Sequence, residues 1–95
     1  AHSAYNFESL DFKANERKLN AYYAEFTDVA GDKARMHQHP GVEFLFLISG
    51  DLEITIGSEP HTLSSGDAIY FDAAVRHSYR KISEASCLGV VVTTQ

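Results

Sequence analysis

The chain has 95 residues, a length that fits one domain with a modest hydrophobic core. Apolar residues make up 44 % and charged residues 22 %, which is typical of a globular protein and excludes a disordered chain. The 13 acidic and 8 basic residues give a net charge of -5, so we expect no direct nucleic-acid binding by this domain. No apolar run reaches the ~20 residues of a membrane span, and we expect no membrane partner. A single cysteine, Cys87, cannot form an internal disulfide, which favours a reducing compartment such as the cytoplasm.

The N-terminal residues 1–19 are mixed and polar, and we expect them to form an extension that packs on a domain spanning 20–95. From residue 20 onwards, short apolar or alternating runs are separated by turn residues, a pattern typical of strands. The predicted strands are, in chain order, 20–29, 35–39, 42–48, 52–56, 61–63, 68–71, 76–81 and 87–93. Many short strands with Gly-containing turns predict an all-β sandwich or barrel, and a small barrel encloses room for one small ligand.

Three potential metal ligands lie close together in the sequence, namely His37, His39 and Glu43, and His77 follows on a later strand. Residues two apart on an extended segment share a face, so His37 and His39 point the same way. Glu43 is the one charge within 42–48, where an unpaired buried carboxylate would be costly. Three imidazoles and one carboxylate suit a divalent transition metal (Zn, Fe, Mn, Ni, Co or Cu), whereas calcium and magnesium prefer oxygen ligands. We therefore predict a metal site at these four residues, with open positions for water or a small molecule.

The alternation of the strand at 42–48 indicates which of its side chains face that site. If Glu43 faces a metal, Leu45 and Leu47 face the interior with it, and we predict that both line a ligand pocket. Phe44 and Phe46 then pack outside, between sheets or against a partner.

Two further residues are candidates for the same pocket. Tyr79 lies two residues from His77 and shares its face of the strand, and Arg35 has the same parity as His37. The alternatives are a barrel-wall tyrosine with a hydrogen-bonded hydroxyl group, and an arginine on the surface. The predicted pocket therefore contains Leu45, Leu47, Tyr79 and Arg35.

The spacing of these residues resembles the first motif of the cupin superfamily, a resemblance that covers roughly residues 20 to 93. The fixed positions of that motif are matched by Gly31, His37, His39, Glu43 and Gly50. A second segment resembles the second cupin motif, with Gly66 and His77 in place, but Asp72, Ala74 and Lys81 replace the usual Pro, Gly and Asn. The resemblance implies a cupin jelly-roll β-barrel, also described as a double-stranded β-helix. It also implies that the metal ligands are His37, His39, Glu43 and His77.

The runs 43–54 and 66–73 also resemble the C-terminal cupin domain of bacterial helix-turn-helix (XRE-type) transcriptional regulators. This resemblance implies a sensor domain that binds a metal, a small-molecule ligand or both, with DNA bound by an N-terminal domain outside this chain. The chain begins at Ala1 without Met, as expected of a piece of a longer regulator. The alternatives are a small metal-dependent cupin enzyme, of the dioxygenase, isomerase or decarboxylase type, and a structural dimerisation barrel with a degenerate site.

The aromatic content, 5 tyrosines and 6 phenylalanines, exceeds what a core of this size needs. We therefore expect a homodimer. Two surfaces are candidates for the contact with the partner copy: the face that carries Tyr22 and Phe26, and the apolar run 90–92.

Overall fold

The fold was analysed in a computed structural model, which describes residues 5–9, 19–27 and 37–94. Every element of regular secondary structure found in these ranges is a β-strand. Their bounds are β1 (Tyr5–Ser9), β2 (Leu19–Phe26), β3 (Val42–Ser49), β4 (Asp51–Ile56), β5 (Glu59–Ser64), β6 (Ala68–Asp72), β7 (His77–Lys81) and β8 (Cys87–Thr94). Within the described ranges, no helix is long and apolar enough to cross a membrane.

The strands form two antiparallel sheets. Five strands make one sheet in the order β1-β2-β8-β3-β6, and three make the other in the order β5-β4-β7. An isolated antiparallel bridge pairs His37 with His77, the first residue of β7, at the edge of the smaller sheet. Two antiparallel sheets of this kind agree with the expected all-β jelly roll. The pairing of β1 with β2 adds a strand that the sequence pattern did not predict in the N-terminal segment.

Alternation along β3 places its odd-numbered residues inside, as the sequence predicts. Glu43, Leu45 and Leu47 are buried, whereas Phe44 and Phe46 are each 38 % exposed. The core lies between the two sheets and includes Leu52 and Ile54 of β4 together with the fully buried Cys87. Cys87 is therefore a small apolar core residue, and burial raises the pKa of its thiol.

The face of β2 that carries Tyr22 and Phe26 points into the molecule. Phe26 is 2 % exposed and packs in the core, with its ring centroid 5.4 Å from that of Tyr79. The expectation that this face meets a partner is therefore wrong. The reason is the pairing of β2 with β8, which sets the even-numbered residues of β2 beside inward residues such as Cys87.

The turn between β3 and β4 requires glycine. Gly50 has φ +84°, and a Cβ atom there would lie 2.7 Å from both Cα of Cys87 and the carbonyl oxygen of Ser86. Neither backbone atom can move aside, so the turn excludes every residue with a side chain unless the strand end shifts. This close packing holds the turn against the start of β8, next to the register shift between Leu47 and Ser49 in the pairing of β3 with β8.

Candidate metal centre

Three of the four predicted ligands converge at one end of the barrel. His39 precedes β3, Glu43 is the first buried residue of β3, and His77 begins β7. One ligand atom from each of these residues lies within 4.8 Å of the other two. Nε2 of His39 is 3.2 Å and Nε2 of His77 is 3.5 Å from Oε1 of Glu43.

The ring of His77 is held in one orientation by its backbone surroundings. Nδ1 lies 2.8 Å from the carbonyl oxygen of Val75, which accepts a hydrogen bond from it. In the neutral ring this bond leaves the lone pair on Nε2, the arrangement that metal-ligating histidines use. Among the buried polar side-chain atoms of the described residues, Nε2 of His77 alone has no hydrogen-bond partner. A buried acceptor without a partner is costly, and a cation at this point would supply the missing contact, so these residues fit a metal.

Glu43 is held as a carboxylate by hydrogen bonds from Tyr79 and His39 and by the nearby imidazole of His77. The Tyr79 hydroxyl donates a hydrogen bond to Oε2, while His39 and His77 approach Oε1. Burial raises the pKa of Glu43, but its contacts with His77, Tyr79 and His39 and the charge of His77 outweigh burial and lower it. Glu43 is therefore ionised at neutral pH, as a metal ligand must be.

The same contacts act in the opposite direction on His77. Burial lowers the pKa of His77, but the nearby Glu43 carboxylate and the Val75 carbonyl raise it more strongly, so the net shift is upward. A proton on Nε2 therefore competes with a metal for the same lone pair.

The fourth predicted ligand, His37, borders this group. Its backbone N–H donates to the carbonyl of His77 at 2.6 Å, and the N–H of His77 donates back at 2.8 Å. Its ring centroid is 6.0 Å from that of His77 and 5.8 Å from that of Tyr79, and its ligand atoms lie outside the 4.8 Å group. A ligand role for His37 stays a prediction.

A cavity of about 250 Å³ opens beside two of the three predicted ligands, His39 and Glu43. Its lining contains Tyr22, Ala24, Phe26, His39, Glu43, Tyr79, Val91 and Thr93. Tyr79 lines the cavity, as a pocket residue would. Its hydroxyl also donates a hydrogen bond to Glu43, as the alternative of a hydrogen-bonded barrel-wall tyrosine requires, so the two interpretations are compatible. The ligands lie at a polar end, and an apolar wall continues inward from them.

The other predicted pocket residues lie elsewhere. Leu45 and Leu47 point inward but are fully buried in the hydrophobic core rather than in the cavity lining. Height along the strand is not the reason, because Val91 and Ala24 lie level with Leu45 and Leu47 in the sheet and do line the cavity. The cavity lies on the side of β2 and β8. Arg35 lies outside the described residues.

Sequence reasoning missed five lining residues, which come from β2 and β8. The register explains their position, because Thr93 pairs with Glu43, and Val91 pairs with both Leu45 and Tyr22. The alternation of each strand was visible in the sequence, but the pairing of β8 with both β2 and β3 was not.

Comparison with known families finds one match: the model of the Cupin domain family (Cupin_2) fits residues 24–93. Comparison with curated protein sequences finds no match.

Solved structures with the same fold include domains of transcriptional regulators and HppE. The Cupin_2 domain of an XRE family transcriptional regulator from Enterobacter cloacae has a TM-score of 0.82 at 21 % identity, over 97 % of both chains. An HTH_3 family transcriptional regulator from Vibrio cholerae has a TM-score of 0.80 at 17 % identity, over 97 % of this chain and 51 % of its own. HppE, solved as a CoII form with substrate, has a TM-score of 0.81 at 20 % identity, over 94 % of this chain and 51 % of its own. This chain therefore spans about half the length of HppE and of the Vibrio regulator.

Proposed function

This chain belongs to the cupin domain family, and from that premise we propose that it is the metal-dependent, ligand-binding sensor domain of a transcriptional regulator. The observation that carries the proposal is the grouping of half-buried His39 with buried Glu43 and His77, because His39 and Glu43 also line a cavity large enough for a small molecule. A bound divalent metal would supply a Lewis-acidic centre with open coordination positions, and His39, Glu43 and His77, joined by His37 as predicted, would hold it.

The chain's own residues divide the cavity into two parts. His39, Glu43 and Tyr79 form a polar end that can hold a metal and orient an oxygen-bearing group. Ala24, Phe26 and Val91 form an apolar wall that excludes water from the rest of the ligand. Small-molecule sites commonly combine a mainly apolar wall with a few placed polar groups.

The regulator assignment is supported by the likeness to two regulator structures, one of them a Cupin_2 domain matched over nearly its whole length. The net charge of -5 fits a domain that leaves DNA binding to a separate N-terminal domain. In this proposal the domain works as a homodimer in the cytoplasm, where the single buried thiol of Cys87 needs no partner.

A metal-dependent cupin enzyme is the second candidate. It is favoured by the likeness to HppE in its metal-containing forms and by the Tyr79 hydroxyl at the metal end of the cavity. A structural barrel with a degenerate site is disfavoured, because three ligands converge and Nε2 of His77 lacks a partner in the described part of the chain.

Cobalt(II) titration followed by visible absorbance tests the metal site. We expect His77→Ala to weaken cobalt binding by at least about 100-fold, since even residues that only support a ligand change affinity by about 10–100-fold. His61→Ala is the matched control, because the His61 side chain is 43 % exposed and lies on β5, away from the group. A wild-type chain that binds no cobalt, or a His77→Ala variant that binds as tightly as the wild type, would refute the metal site.

Recovery of a bound compound separates the sensor from the enzyme. Small oxygen-bearing compounds that raise the melting temperature of the cobalt- or iron-loaded chain would be incubated with it in air and analysed by NMR. If the chain is a sensor, the compound should be recovered unchanged even when it is added in large molar excess over the metal. Conversion of the compound in excess over the metal would instead establish the enzyme.

A further inference from the structure

The lining of the cavity changes from polar to apolar along strands β2 and β8. Thr93 pairs with Glu43 and so lies level with the metal end. Val91 and Tyr22, which pair with each other, lie two residues further inward, and Ala24 lies two residues beyond Tyr22. At about 3.4 Å per residue, the wall therefore extends roughly 13 Å along the strands from the level of Glu43.

The inner part of this wall contains a pair of small residues. Ala24 is 1 % exposed and pairs with Gly89 of β8, so the two positions together carry a single side-chain carbon atom. Cε2 of Phe26 lies 3.5 Å from the position of a Cβ atom at Gly89, so the Phe26 ring borders the same space. The side chain at position 24 therefore sets how much of a ligand the inner wall accommodates.

The volume of the cavity limits the size of the ligand. An apolar cavity of about 150 Å³ holds one molecule of benzene, which has six carbon atoms. The cavity of this chain measures about 250 Å³. By proportion it holds roughly 10 non-hydrogen atoms, which corresponds to one six-membered ring with an acid group and one further small substituent.

The side chains of the wall favour an aromatic ring. Three of the eight lining residues are aromatic, namely Tyr22, Phe26 and Tyr79. The rings of Phe26 and Tyr79 have centroids 5.4 Å apart and are tilted by 49° to each other. Aromatic rings at such distances and tilts stabilise one another beyond the burial of their area, so a ring in the ligand gains contacts that an alkyl group lacks.

The charges of the described lining permit one acid group on the ligand. Glu43 supplies a negative charge, and no lysine or arginine is found among the described residues that line the cavity. Glu43 and two neutral histidines would leave a divalent cation with one uncompensated positive charge, which a single carboxylate balances. A second carboxylate beside Ala24 or Phe26 would lose its water without a cation to replace it, which is costly.

We propose that the ligand of this cavity is a single-ring aromatic monocarboxylate, with its carboxylate at the metal end and its ring against Ala24, Phe26 and Val91. This inference rests on the proposed function, because the carboxylate needs the cation that His39 and Glu43 help to hold. Without that cation, the Glu43 carboxylate repels the acid group of the ligand.

Isothermal titration calorimetry of the cobalt(II)-loaded chain tests the ligand class with a series of acids. Benzoate should bind at least about 10-fold more tightly than acetate, the least that burial of a whole apolar group contributes. It should bind about 2- to 10-fold more tightly than cyclohexanecarboxylate, because of the aromatic contacts. Terephthalate, with its second carboxylate, and 2-naphthoate, with its second ring, should both bind more weakly than benzoate. Acetate or cyclohexanecarboxylate that binds as tightly as benzoate would overturn the aromatic ring, and tighter binding of terephthalate would overturn the single charge.

The same titration separates this inference from the proposed function. The metal-free chain should not bind benzoate, and equal affinity with and without cobalt would overturn the position of the carboxylate. A chain that binds cobalt, by its absorbance, but binds no benzoate would overturn the ligand class alone. A chain that binds no cobalt would instead refute the proposed function.

Two alanines on β2 provide a matched pair of variants for the position of the ring. Ala24→Leu fills the inner wall and should weaken benzoate at least about 10-fold, whereas Ala21→Leu, on the opposite face of β2, should bind benzoate like the wild type. Retained cobalt absorbance shows that each variant is folded. Val91→Ala adds no atoms and so cannot overpack the core, and it should weaken benzoate by about 3- to 10-fold while leaving acetate unchanged. Wild-type affinity for benzoate in folded Ala24→Leu or in Val91→Ala would overturn the position of the ring.

Discussion

Replacing Tyr79 by Phe removes one oxygen from the centre of the site and leaves the aromatic ring. The Tyr79 hydroxyl donates to Oε2 of Glu43, a side chain that is 2 % exposed, while its ring packs 5.4 Å from that of Phe26. Phenylalanine keeps the ring contact but leaves Oε2 of Glu43 buried without the hydrogen bond from the Tyr79 hydroxyl. A hydrogen bond to a charged group contributes about 1.5–3 kcal/mol, so we expect Tyr79→Phe to lose that amount of unfolding free energy.

Urea unfolding of the metal-free protein at neutral pH measures this loss. For a domain of this size, about 1.5–3 kcal/mol corresponds to a fall in melting temperature of roughly 6–24 °C. Tyr70→Phe is the control, since Tyr70 is 68 % exposed, and it should stay within about 0.5 kcal/mol of the wild type.

The loss of unfolding free energy in Tyr79→Phe should depend on pH in a definite direction. The folded-state pKa of Glu43 is lowered from its ordinary value of 4.5, because its hydrogen-bonded and charged neighbours outweigh burial. The ionised carboxylate therefore stabilises the fold above that ordinary value, and this contribution is lost as the pH falls through the lower folded-state pKa. The Tyr79→Phe deficit should be full at neutral pH and shrink in acid. A deficit below about 0.5 kcal/mol at neutral pH would refute the role of Tyr79 in holding Glu43.

Three further outcomes follow from the site and the core. Cobalt affinity should fall as the pH is lowered through the His77 pKa, which is raised above 6.5, because a proton on His77 competes with the metal. An affinity that does not change with pH would argue against His77 as a ligand. In thermal unfolding, Gly50→Ala should lower the free energy of unfolding by about 1–3 kcal/mol more than Gly66→Ala does. Both glycines have positive φ, but of the two only Gly50 has backbone atoms 2.7 Å from the position of a Cβ atom. Equal losses would contradict this packing. Leu47→Ala should lower the free energy of unfolding in urea by about 2–5 kcal/mol. Leu19→Ala should lower it far less, because Leu19 is 55 % exposed, and similar losses would contradict the assigned core.

The parts of the fold that were predictable from the sequence are those set by local pattern. The single charge in the apolar run of β3 placed Glu43 inside, and alternation then assigned Leu45 and Leu47 to the interior and Phe44 and Phe46 to the outer side. Glycine-containing turns divided the chain near the observed strand bounds. These features depend on neighbours within a few residues, so one sequence is sufficient to detect them.

The parts that escaped prediction depend on contacts between distant residues. Strand β8 lies between β2 and β3, a non-local arrangement that brings Thr93 beside Glu43 and Tyr22 beside Val91, and nothing in the local pattern specifies it. The sequence likewise placed Tyr22 on a surface, whereas the sheet order turns it into the cavity. Period-two alternation gives two faces for every strand, but only the order of strands decides which face is inside.

The hydrogen bonds of the candidate metal centre stabilise the Glu43 carboxylate without a metal. Glu43, the group whose burial is most costly, has Tyr79 on one oxygen and His39 on the other, so its charge is stabilised within the described residues without a metal. The one partnerless buried atom found among them, Nε2 of His77, belongs to a group that can take up a proton and thereby pair with Glu43. A divalent metal held by His39, Glu43 and His77 would take the place of that proton. Ala24, Phe26 and Tyr79 belong both to the core and to the cavity lining, so a ligand in the cavity would contact the core directly.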